Sequence, residues 1–131
     1  MFPSITRNLF VTLWVCGAIF AADSAGIWID VPFVKQAKVG CGAASIAMVM
    51  QYWQQKRGRS EDRNADAAHI QSALYSEAAH GIYASEMERY FQKNGYRVFA
   101  FQGHWADLKQ HLEQGRPLIV ALKPPKLSGH R

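Results

Sequence analysis

The stretch that most limits what this chain can become lies between Gly40 and Gly58. It opens "GCGAAS" and continues with apolar residues at Ile46, Val49, Met50 and Trp53. That spacing lays one stripe along an α-helix. Such a stripe is stable only when another element covers it, so the rest of the chain must supply a packed partner. Gly58 predicts the helix end, because glycine takes the left-handed conformation that closes helices, and Lys56 and Arg57 suit the last turn.

The partner must come from a chain of 131 residues, enough for one domain. The first residues do not belong to that domain. "MFPSITRNLFVTLWVCGAIFAADSAG" carries Arg7 and then an uncharged run from Leu9 to Ala22. A bilayer crossing takes about 20 apolar residues, so the run is short for an anchor. A basic start, a short apolar core and a small-residue exit predict a secretory signal peptide over residues 1–24, cut after Ser24. An uncleaved membrane anchor is the alternative. The bulky Trp14 and Val15 before Cys16 argue against a lipoprotein signal. The expected mature domain is therefore residues 25–131. It is expected to be exported, periplasmic or extracellular, with no stable membrane association after the leader is removed.

Loss of the leader removes Cys16 and leaves Cys41 alone. A single cysteine in an exported chain makes no internal disulfide; it is a free thiol or an intermolecular partner. The net charge of +5 allows anionic partners. Its one dense patch, Lys56 to Arg59, reads as the cationic end of the helix, and no nucleic-acid binding is expected.

Residues 27–31 alternate apolar and polar side chains before Pro32 and predict a short edge strand. The alanine-rich stretch before Gly81 predicts a second helix. A third follows, with Ser85 and Glu88 as a capping box, Met87, Tyr90 and Phe91 as its apolar face, and Gly95 as its stop. Residues 96–102 predict a strand. Trp105, Leu108, His111 and Leu112 mark a fourth helix ending at Gly115, and the aliphatic run of residues 117–123 predicts a buried strand. Helices first and strands gathered late describe an α+β domain, with helices on one side of an antiparallel sheet.

A cysteine in the first turn of a helix meets unpaired N–H groups and a partial positive charge, which favour thiolate over thiol. Gly40, Gly42, Ala43 and Ala44 leave little bulk around the sulfur, so an extended substrate could approach it. Gln36, five residues upstream, can offer an amide N–H to an oxygen that turns negative during attack. Two other readings stay open on these residues alone: a buried small hydrophobe and a crosslink to a partner.

The run "VPFVKQAKVGCGAASIAMVMQYW" resembles the family-39 cysteine peptidases, the bacteriocin-processing, double-glycine-type members of the papain-like clan. The likeness continues through "GIYASEMERYFQKNGYRVFAF" and "LKQHLEQGRPLIVALK" and covers most of residues 30–123. It implies a papain-like cysteine peptidase fold acting on a peptide or protein substrate without a cofactor. It also implies Cys41 as nucleophile and Gln36 as oxyanion-hole residue. The family's histidine opens a valine-rich strand and an Asp or Asn orients it. Here His130 lies near that position, but no such strand and no later Asp or Asn follow. The expectation is an incomplete fold, with either His130 as the base or the base beyond the carboxyl end. A peptidase-like module that binds peptides without cutting them is the rival reading.

Other constellations are weaker. His104 and His111 lie seven apart without a partnering motif, so a capping or solvated role is expected rather than a metal site. Glu86, Glu88 and Asp107 read as helix-surface charges. Trp53, Tyr90, Phe91 and Trp105 are expected in the core.

Overall fold

The computed structural model describes residues 26–60 and 62–122. The expected leader, residues 1–24, and His130 lie outside the described residues. Four helices are present: α1 (Cys41–Lys56), α2 (Ala67–Leu74), α3 (Ala84–Lys93) and α4 (Trp105–Glu113), with one 3₁₀ turn at Arg63–Ala65.

The helix ends follow local chemistry. The Asp66 carboxylate accepts from the His69 N–H at 2.8 Å and caps α2. The Asp62 carboxylate accepts from the Asn64 N–H at 2.8 Å and starts the 3₁₀ turn. Beyond α3, Gly95 adopts φ +79°. Its N–H donates to the Gln92 carbonyl and the Tyr96 N–H donates to the Phe91 carbonyl, both at 3.0 Å. This pair of bonds closes a helix only when the glycine position turns left-handed. The Phe91 and Tyr96 rings then meet edge to face at 5.9 Å, sealing the same corner with apolar contact. The ends of α1 at Gly58 and α4 at Gly115 repeat the hydrogen-bond pattern, as the sequence led one to expect.

The core gathers around α1. Ala43, Ile46, Ala47 and Met50 from that helix are buried with Ala65, Ile70 and Phe91. Val34, Val49, Leu74, Ile82, Met87, Tyr90 and Val98 pack around them. The apolar surface of α1 is wider than the predicted stripe, because Tyr52 is buried on a second side. The Tyr52 hydroxyl donates to the Gly115 carbonyl at 2.7 Å and ties α1 to the end of α4, 63 positions away.

Three expectations need correction. No strand is present among the described residues, where an antiparallel sheet was expected; the sole β pairing there is the bridge between Ser76 and Gly81. The described parts of residues 27–31, 96–102 and 117–123 carry strand-like composition without ladder partners. A strand exists only through its neighbour's hydrogen bonds, so composition alone does not make one. The capping box at Ser85 and Glu88 does not form either. Tyr83 occupies the cap position of α3 without a side-chain bond, and Ser85 lies inside the helix. Trp105 is 77% exposed rather than in the core, because α4 has no buried residue.

Candidate active site

Cys41 is the first residue of α1 and its side chain is exposed. The reading of Cys41 as a buried small hydrophobe is thereby overturned. The position before it, Gly40, has no side chain with which to cap the helix, and no side-chain hydrogen bond reaches the first turn. That turn contains no acidic residue, and Lys56 sits in the last turn. A negative charge on the sulfur would therefore meet uncapped N–H donors and the positive end of a 16-residue helix, with no carboxylate in the turn to compete.

The approach to Cys41 is a tight turn. The Gly40 N–H donates to the Ala37 carbonyl at 3.0 Å. A Cβ at Gly40 would lie 3.1 Å from both the nitrogen and the oxygen of Ala37, backbone atoms that cannot swing aside. Within the turn Val39 holds φ +56°. A β-branched residue there is a true outlier, and such conformations cost roughly 1–3 kcal/mol. Gln36, exposed, enters this turn, and Cys41, exposed, leaves it. One short loop thus carries both.

The small residues after the cysteine also make room within the fold. A Cβ on Gly42 would lie 2.9 Å from Met87 Cε, 3.3 Å from Ile82 Cβ and 3.4 Å from Ile82 Cδ1. Gly42 therefore admits Met87 of α3 and Ile82, the residue before Tyr83, while Ala43 and Ala44 are buried. Ile82 and Met87 meet the head of α1 at Gly42. Met87 was legible as part of an apolar helix face, but nothing in its pattern names the residue it would touch.

Two clefts lie along α1. One of about 380 Å³ is lined by Ile27, Trp28, Tyr52, Lys56, Leu112 and neighbours. The other, about 160 Å³, is lined by Val31, Ser45, Met48, Val49 and residues 117–120. Ser45, Val49, Tyr52 and Lys56 continue, at steps of three and four, the helix face that begins at Cys41. Two segments with strand-like composition thus run beside the face headed by the cysteine. Cys41 lines neither cleft.

Several other ionisable groups make local structural contacts. The His104 N–H donates to the Asp107 carboxylate at 2.7 Å, and the His111 ring rests against Phe101 at 5.4 Å. Among the described residues no group of three or more His, Cys, Asp or Glu side chains could hold a metal. Burial pushes the Tyr90 phenol above its ordinary value, and the Asp62 charge pushes it the same way. Burial also raises Tyr96. Neither belongs to the cysteine site.

An exposed thiol at the uncapped head of a buried helix is the environment in which activated cysteines are found. Residues 28–131 match the Peptidase_C39 like family. The chain belongs to that family of cysteine peptidases, which implies a papain-like fold and a peptide substrate. No curated protein and no solved structure is significantly similar to it. Among the described residues no helix is long and apolar enough to cross a membrane.

Proposed function

We propose that this chain is an exported cysteine peptidase that hydrolyses peptide bonds through an acyl-enzyme on Cys41. The Sγ thiolate attacks the scissile carbonyl carbon, and the oxygen, now negative, is met by the Gln36 amide. Collapse breaks the carbon–nitrogen bond, and the leaving amine takes a proton from a histidine, either His130 or one beyond residue 131. Water then gives its proton to that imidazole and displaces the sulfur from the thioester, which releases the acid and returns the thiolate. Residues 1–24 act as the export leader and direct the domain to the periplasm or the outside of the cell.

One observation carries this reading: within a match to a peptidase family, the lone cysteine of residues 25–131 stands exposed at the first position of α1. Alkylation tests it. Iodoacetamide at neutral and mildly acid pH should modify Cys41 faster than free cysteine. Cys41→Ala should abolish peptide hydrolysis. Gln36→Ala should lower hydrolysis by about 10²–10³-fold, the loss typical of one oxyanion donor, while alkylation persists. Labelling no faster than free cysteine would refute the activated nucleophile. Peptide binding without cleavage by a rapidly labelled protein would instead support the non-cutting module. Amino-terminal sequencing of the exported protein tests the cut after Ser24.

A further inference from the structure

The cations that the proposed function leaves unused gather at the far end of α1. Cys41 opens that helix and Lys56 closes it, so this end lies about 22 Å along the axis from the cysteine. The Lys56 ammonium sits 5.7 Å from the centre of the Tyr52 ring. Arg57, next along, lies 5.5 Å over the Tyr96 ring. That contact draws in the segment after α3, where Arg97 lies 5.9 Å over the Phe99 ring. Arg59 acts on the same phenol as Arg57: burial raises Tyr96, whereas Arg57 and Arg59 lower it and Asp62 raises it. Two stretches distant in sequence thus form one basic edge, with Lys56, Arg57, Arg59 and Arg97 all exposed.

Aromatic faces hold these cations without neutralising them. A guanidinium stacked on a ring keeps its N–H edge free for an acceptor. Among the described residues none of the four belongs to an ion pair. The carboxylates at this end are Asp30, Asp62 and Glu113, and Glu113 already meets Lys109 at 3.7 Å. The excess is positive even with Glu61, which lies outside the described residues, counted against it.

Apolar groups flank the charges. Tyr96 and Val98 pack against the core while Arg97 and Phe99 are exposed, an alternation that puts a cation and an aromatic ring on one outer face. Phe99 is 73% exposed, and Trp28, which shares a cleft with Lys56, is 88% exposed. Cations interleaved with exposed rings match the headgroup region of an anionic bilayer, where phosphates meet the charges and the rings enter the boundary. We propose that this edge, Lys56, Arg57, Arg59 and Arg97 with Phe99 and Trp28, docks the domain reversibly on anionic phospholipid. The contact is salt-sensitive and distinct from the stable association a spanning helix would give. It rests on the export reading, which sets the domain beside a bilayer and away from nucleic acid, and not on the thiol chemistry.

The exported protein is sedimented with phosphatidylcholine vesicles and with vesicles holding about one-third phosphatidylglycerol. It should bind the anionic vesicles at about 0.1 M salt, leave them at about 0.5 M, and ignore the neutral ones. Arg97→Gln should lower the binding constant about fivefold, and Arg59→Gln combined with it about 25-fold. Phe99→Ala should weaken binding with no change in net charge. Arg89→Gln removes the same charge from an ion pair on α3 and should stay within about twofold of wild type. Equal sedimentation with neutral vesicles, a loss in Arg89→Gln as large as in Arg97→Gln, or equally tight binding to duplex DNA would overturn the proposal. Vesicle binding is read on purified protein, so it can fail while export, tested by amino-terminal sequencing, stands.

Discussion

Gly42→Ala probes the join that sets the cysteine in place. The added methyl group would sit 2.9 Å from Met87 Cε, a contact that real Cβ atoms do not make, and 3.3 Å from Ile82 Cβ. Met87 can swing its terminal methyl away because its side chain has three rotatable bonds. Ile82 Cβ cannot, since it is bonded to the backbone, so the head of α1 and the residue leading into α3 must part by a few tenths of an ångström. Overpacking of this kind costs about 1–3 kcal/mol. Alanine in place of glycine returns up to about 1 kcal/mol of helix propensity, and less in a first turn. The expected balance is a loss of about 1 kcal/mol, seen as a fall of about 0.5–1 M in the urea midpoint with the slope unchanged. Met87→Ala alone opens space and destabilises, but Gly42→Ala combined with Met87→Ala should fall short of the sum by about 0.5 kcal/mol, because the second change removes the 2.9 Å contact and leaves the one with Ile82 Cβ in place. A rise in midpoint for Gly42→Ala together with strict additivity in the double variant would refute the close approach.

Other perturbations read the rest of the scaffold. Tyr52→Phe strands the Gly115 carbonyl at the end of α4; a loss of about 1–2 kcal/mol is expected in urea unfolding. Asp66→Ala removes the cap of α2 and should cost about 1 kcal/mol, whereas Ser85→Ala, which removes no cap, should leave the midpoint unchanged. Tyr90 and Tyr96 are raised above the ordinary phenol value of 10.0, by burial foremost. Their stabilising contribution is complete below about pH 10 and is lost as pH climbs through the raised folded values. Urea midpoints measured across that alkaline range should fall for the wild type and fall less for Tyr90→Phe; an identical alkaline limb would show that Tyr90 plays no part in it.

The helices were legible because their signals are local. The stripe from Ile46 to Trp53 fits the period, and Gly58, Gly95 and Gly115 stop α1, α3 and α4 through bonds made within six residues of each. The pairing of Gln36 with Cys41 in one loop was legible for the same reason. Tyr83 at the start of α3 was not, since no side chain marks it.

What the residues alone determined is the family, the place of the cysteine at the first turn of α1, and the four helices. These depend on neighbours a turn or two away along the chain. The fold decided what the small residues around Cys41 are for. Gly42 answers to Ile82 and Met87, some forty positions downstream, and Tyr52 answers to Gly115. It also decided that Val39 stands strained and exposed, and that the described strand-like segments lack ladder partners. Close packing and β pairing are relations between distant segments, and a backbone angle forced on valine appears only when the turn around it is closed.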